Sequence, residues 1–455
     1  MPRLPQIGSK FPNFRGTSSK GTWSIVCISP TSNNATYSYL LDHADEFNNS
    51  DIQVTQLQAR ISDTTLYIID SNYILRAAIH NNEDAPLTAH DLINIVDALR
   101  SQYRPEIQSV NNQPINPACP NVEKIVGEYI LGDPSNVDPY LLDFVIYAFA
   151  LIQPDLTLDV YSRRYLQELA DLRLIDPNLK VILGIGGWGN DGFSDAALTP
   201  RSRYNFAREV KRWVDEYNLD GVDIDWEYPG SSAAGIKSRP QDRENFTLLL
   251  QALRDVLGPD AWISVAGVGD SSYIRNVDIA AIGQIIDYFN LMAYDFTAGV
   301  TGAQGAKHHS NLFPSDLALN NLSIDLYVQN LIDAGMPSEK ILMGLPLYGR
   351  NGATITRTFD EIRRSYLNKN GYRVRWDDVA KAPYIVDSSG NFALGFDNNI
   401  SIYFKGKYVD DNCLGGLFTW QSNMDRANIL ADAMNLAIND PRALEDILKK
   451  EYLGQ

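Results

Sequence analysis

From residue 123 onward the chain alternates short apolar runs with stretches whose apolar residues recur every three to four positions. The runs are EKIVGEYI (123–130), DFVIYAFA (143–150), KVILGIGG (180–187), DGVDIDWE (220–227), WISVAG (262–267), IIDYFNLMAY (285–294), KILMGLPLY (340–348) and LGGLFTW (414–420). Between them the spacing is helical. Phe206, Val210, Trp213, Val214 and Tyr217 share one face after the third run, and Phe246, Leu249, Leu250, Leu253, Val256 and Leu257 share one after the fourth. Near-continuous apolar strands alternating with amphipathic helices predict a parallel sheet covered by helices. Eight such units predict an α/β architecture closed into a (β/α)8 barrel.

The interval between the last two runs is too long for one helix. Residues 358–397 read as a helix at Phe359–Leu367, then strands around Tyr372–Trp376, Pro383–Val386 and Phe392–Phe396, with a hairpin turn at Ser388-Ser389-Gly390. This predicts a small α+β insertion, about 352–405, walling one side of a cleft. Upstream, strand-like stretches at 22–29, 65–70 and 73–80, and a helix capped by Thr88 with Leu92, Ile95, Val96 and Leu99 on one face, predict a separate α+β unit. The Pro- and Asn-rich stretch NNQPINPACPN (111–121) marks its boundary. The expected division is an N-terminal domain at 1–118, a barrel at 119–440 and a C-terminal helix at 441–455.

A formal net charge of −17 over 455 residues argues against a nucleic-acid partner, which calls for clustered Lys and Arg. Cys27, Cys119 and Cys413 are odd in number and far apart, so isolated thiols are expected rather than disulfides or a zinc site. The longest apolar run, FVIYAFALI (144–152), is about half of the roughly 18 residues a membrane span needs. The N-terminus has no apolar core of signal-peptide length.

The fourth run continues as DGVDIDWEYPG (220–230), with Asp220, Asp223, Asp225 and Glu227 within eight residues. In a strand Asp223, Asp225 and Glu227 share one face and Val222, Ile224 and Trp226 the other, while Asp220 falls at the strand mouth or in the turn before it. Barrels of this type carry reactive groups at the C-terminal ends of their strands, and there Tyr228-Pro229-Gly230 turns the chain outward. Carboxylates roughly 6–7 Å apart cannot all ionise, so at least one stays protonated near neutral pH. A proton donor at Glu227, supported by Asp225 and then by Asp223, follows from that spacing. A Ca²⁺ site and a structural edge strand remain as alternatives.

DGVDIDWE resembles the DxxDxDxE signature of family-18 glycoside hydrolases, the chitinases and their relatives. YAFA (147–150), GIGGW (184–188), MAYD (292–295), GLPLYGR (344–350) and GGLFTW (415–420) agree in order. The resemblance covers about residues 123–440 and implies a chitinase acting on chitin or N-acetylglucosamine oligosaccharides, without a cofactor, by a substrate-assisted retaining route. It implies Glu227 as acid, Asp225 orienting the acetamido group, Asp223 sharing a proton with Asp225, and Tyr294 bonding the acetamido carbonyl. Asp295 would bind sugar hydroxyls and Trp420 would floor the reacting sugar, although a tryptophan read alone fits a core as well. Trp188 is a second stacking position. Tyr129, Phe149, Met292, Arg350 and Tyr228 align with the cleft and could equally be packing.

Two departures stand out. Gly184 replaces a common Ser, and the loop FTAGVTGAQGAKHHSNLF (296–313) lacks the Trp usual there. His308 and His309 in that loop are expected to be exposed, since no third ligand accompanies them. The resemblance also implies secretion. A chitinase-like lectin, an enzyme cutting N-glycan cores or cell-wall sugars, and one subunit of an assembly docked through the N-terminal domain are the competing readings.

Overall fold

The computed structural model describes residues 122–453 and Cys119, together with Leu92 and four strands nearer the N-terminus. Those strands, Trp23–Ser29, Ile52–Gln58, Thr65–Ile69 and Leu75–His80, form one sheet. Ile52–Gln58 was not expected, and it pairs in parallel with Trp23–Ser29. The expected Thr88 cap lies outside the described residues.

All eight apolar runs are strands of one closed sheet. They are β1 (Ile125–Leu131), β2 (Phe144–Ile152), β3 (Lys180–Gly186), β4 (Gly221–Asp225), β5 (Trp262–Gly267), β6 (Tyr288–Leu291), β7 (Ile341–Pro346) and β8 (Gly416–Trp420). Each pairs in parallel with its neighbour, and β8 closes against β1, with Leu417 opposite Val126. The apolar stripes seen in the sequence cover this sheet from outside. The helix Pro200–Glu216 starts at Thr199, whose hydroxyl accepts from the Ser202 N–H, with Pro200 at its first turn. Its buried face, Phe206, Ala207, Val210 and Trp213, has the helical spacing of the sequence. Truncating Phe206 to Ala should cost about 3–5 kcal/mol.

The insertion sheet starts earlier than expected and has five strands rather than three. It starts at Tyr348–Asn351 and Ile355–Thr358, then continues after the helix Phe359–Ser365 with Arg373–Asp377, Ala382–Val386 and Phe392–Gly395. Tyr348 was read as the end of the seventh run, but β7 stops at Pro346. Apolar alternation carries straight through this point and cannot tell which sheet a residue joins. The last described element is the helix Pro441–Leu453.

Cys119 and Cys413 form a disulfide, with Cα atoms 5.5 Å apart across 294 residues, which corrects the expectation of isolated thiols. Barrel closure is the reason. The Ile125 N–H donates to the Gly415 carbonyl at 2.9 Å, so the segment entering β1 lies beside the turn entering β8. Among the described residues no helix is long and apolar enough to cross a membrane.

Candidate active site

Strand β4 separates its side chains as the alternation requires. Val222, Ile224 and Trp226 are buried outward, where Trp226 stacks on Phe193 at 5.5 Å and meets Phe246 edge-on at 5.4 Å. Asp223 and Asp225 point inward and are buried, and Glu227 follows at the mouth. Asp220 precedes the strand at the opposite barrel end, accepting from the Val181 N–H at 2.8 Å and pairing with Arg173 and Lys180.

The inner acids occupy very different settings. Asp223 accepts from Tyr129 Oη at 2.8 Å, Ser264 Oγ at 2.7 Å and Asn290 Nδ2 at 3.0 Å. Burial pushes its carboxyl up to about 6, although those three donors pull the other way. Asp225 has no such set: its Oδ1 is buried without a hydrogen bond. Burial first, then the charges of Glu227 and Asp223, drive its carboxyl well above the usual range. Glu227 is pushed to about 7, mainly by burial and also by the charge of Asp295, against a hydrogen bond with Tyr228. Burial thus raises all three carboxyls, and Glu227, at about 7, keeps a share of its protons at neutral pH, the property a proton donor needs.

Ser264 and Asn290 were missed by sequence reasoning. Each is a single polar residue inside an otherwise apolar strand, WISVAG and YFNL, and both are fully buried at the layer of Asp223. That isolation was the available signal. Gly184, where a Ser is common, sits opposite Asp223 in register. A Cβ there would lie 2.9 Å from the Tyr147 carbonyl oxygen, so this packing favours glycine. Gly186 has φ +113°, and a Cβ there would come within 2.1 Å of the Asp225 carbonyl oxygen.

A cleft of about 930 Å³ opens above the ladder. Tyr129, Phe149, Trp188, Asp225, Glu227, Tyr228, Met292, Tyr294, Asp295, Arg350 and Trp420 all line it, while Asp223 lies beneath, shielded from solvent. Trp420 stacks on Phe149 at 5.7 Å and packs at 5.6 Å from Tyr129. Trp188 stands at the rim, 65% exposed, so it is free to meet a ligand rather than fill a core. Arg350, on the first insertion strand, holds Asp295 through Nε at 2.7 Å and Nη2 at 3.2 Å. Tyr348, also missed, donates to the same carboxylate at 2.7 Å. Burial raises the Asp295 carboxyl, but His309, Arg350 and Tyr348 together bring it below its ordinary value.

The two histidines are buried, not exposed, because the loop after β6 folds under the insertion sheet. His308 Nε2 lies 3.3 Å from Asp377 Oδ2 on an insertion strand. Among the described residues no three His, Cys, Asp or Glu side chains are grouped to hold a metal ion.

Residues 124–425 match the family described as glycosyl hydrolases family 18. The chain belongs to glycosyl hydrolase family 18. Chitinase A1 of Niallia circulans is 32% identical over 306 residues, covering 59% of this chain and 44% of that protein. The chain therefore spans less than half of that relative. Among solved structures, the chitinase domain of the spore coat protein CotE from Clostridium difficile is 59% identical, with a TM-score of 0.56, covering 75% of this chain and 99% of that domain. A family-18 N-acetylglucosaminidase from Paenibacillus barengoltzii is 31% identical with a TM-score of 0.64, covering 70% of this chain and all (100%) of that one.

Proposed function

We propose that this family-18 chain is a chitinase, hydrolysing β-1,4 linkages between N-acetylglucosamine units with retention of configuration. The observation that carries this reading is the buried acid ladder ending in Glu227, raised to about 7 at the floor of an aromatic cleft. Glu227 donates its proton to the glycosidic oxygen as the bond to C1 breaks. The acetamido carbonyl oxygen of the same sugar attacks C1 and forms an oxazolinium ion, which water then opens with Glu227 as base. The unpartnered Asp225 Oδ1 is free to accept the acetamido N–H and to offset positive charge on the ring. Tyr294, lining the cleft beside these acids, donates to the acetamido oxygen. Trp420 supplies an apolar face for the distorted sugar and Asp295 meets its hydroxyls.

Retention of Glu227 supports an enzyme over a sugar-binding relative. The disulfide joining Cys119 and Cys413 supports an oxidising, extracytoplasmic setting. Product analysis on N-acetylchito-oligosaccharides of defined length tests the proposal. Cleavage with the β anomer formed first is expected, with no cleavage of fully deacetylated or plain glucan oligomers. An initial α product, or comparable cleavage of cello-oligosaccharides, would refute the mechanism.

A further inference from the structure

His309 is shielded completely from solvent, yet neither ring nitrogen has a hydrogen-bond partner. A buried imidazole left so is costly, and such groups recur where a structure has a second state to reach. Its nearest partner is Asp295: His309 Nδ1 lies 3.7 Å from Asp295 Oδ1, too long for a hydrogen bond and less than 1 Å from one. The ring also packs at 5.2 Å from Tyr348, which itself donates to Asp295.

The backbone of His309 is anchored on both sides. Its carbonyl accepts from the Phe296 N–H at 3.2 Å. The next residue, Ser310, donates to the Ala293 carbonyl at 3.0 Å and accepts from Lys405 at 2.9 Å. Lys405 is in turn locked by a fully buried pair with Asp397, 2.7 Å, where the insertion returns to the barrel. Asp295 itself sits at φ +64°, a backbone region that a residue with a Cβ rarely occupies without support from its surroundings. A fixed imidazole thus stands behind a carboxylate that faces the cleft from a strained position.

We propose that His309 is a positioning residue for Asp295, completing the carboxylate's hydrogen-bond set when a sugar occupies the cleft. This deepens the reading of Asp295 as a sugar-hydroxyl acceptor and rests on it. A ring-shaped residue without polar atoms keeps the packing and removes the bond, so H309F is the informative change. H309Q keeps a donor.

On soluble N-acetylchito-oligosaccharides, H309F should lower kcat/KM about tenfold, the worth of one charge-assisted hydrogen bond, mostly through KM. H309Q should recover most of that loss. In a D295N background H309F should add less than about twofold, because residues acting through one another are not additive. An equal cost of H309F in both backgrounds, or an H309Q no better than H309F, overturns the proposal. A wild-type protein that cleaves no such oligosaccharide would refute the functional reading instead. For that case ¹³C titration of the Asp295 carboxyl, assigned by comparison with D295N, decides the role of His309 without turnover. Titrated with N-acetylchito-oligosaccharide bound, the carboxyl should titrate higher in H309F than in the wild type, and an unchanged titration overturns the proposal.

Discussion

The Tyr129 hydroxyl donates a 2.8 Å hydrogen bond to Asp223 across the barrel interior, joining β1 to β4 over 94 positions of sequence. The same oxygen accepts from Asn290 Nδ2 at 2.9 Å, and with Ser264 four strands meet at one buried carboxylate. Replacing Tyr129 by Phe keeps the ring against Phe418 and Trp420 but removes a donor that lowers the Asp223 carboxyl. That carboxyl should then titrate above about 6. Leaving a buried carboxylate short of a partner should cost about 1–3 kcal/mol in chemical denaturation, with a matching loss of turnover.

Glu227→Gln keeps the shape of the acid and removes its proton. General acid catalysis is worth roughly 10²–10⁴-fold. Hydrolysis of N-acetylchito-oligosaccharides should fall at least that far, while their affinity, read by calorimetry, persists. More than about a tenth of wild-type turnover would rule out Glu227 as the acid.

The pH profile follows from the same residue. With its carboxyl raised to about 7, Glu227 stays protonated through the mildly acidic range and loses its proton as pH rises through that value. kcat/KM, which reports the free enzyme, should therefore decline on the alkaline side near pH 7. A plateau extending well beyond that point would contradict the assignment.

Glu128 offers a test of stability apart from the cleft. It is buried on β1, its Oε1 accepts from Thr419 Oγ1 at 2.9 Å, and burial raises its carboxyl to about 8. The folded state thus binds this proton more tightly than the unfolded chain, whose value is near 4.5. Its contribution is fully present below about 4.5 and is lost as pH rises through about 8. Glu128→Gln keeps an acceptor for Thr419 and carries no proton to lose. Thermal melts should show the variant gaining on the wild type as pH rises from 5 to about 8, with a flatter slope. Parallel curves for the two proteins would refute this account.

Much of the barrel was legible because its physics is local. A strand buried on both sides must be apolar throughout, and a helix lying on it must repeat its apolar residues every turn, so β1 to β8 and the stripe Phe206–Val210–Trp213 stand out without any partner being known. The acid ladder was legible for the same reason, since alternation alone puts Asp223, Asp225 and Glu227 on one face. The residues that tune the ladder were not. Ser264 and Asn290 look like ordinary exceptions in apolar strands until the sheet closes and aims both at Asp223.

Everything decided by closure or by a change of sheet lay beyond the linear pattern. Periodicity reports which face a residue occupies, never what stands opposite. Tyr348 continues the alternation of β7 yet belongs to the insertion sheet, where it reaches Asp295. His308 and His309, polar and set among glycines, read as a solvated loop but are buried because the insertion folds over them. Cys119 and Cys413 are 294 residues apart, and only the meeting of β8 with β1 makes them neighbours. Their proximity is set by how the ends of a cylinder join, a long-range condition that no window of sequence contains.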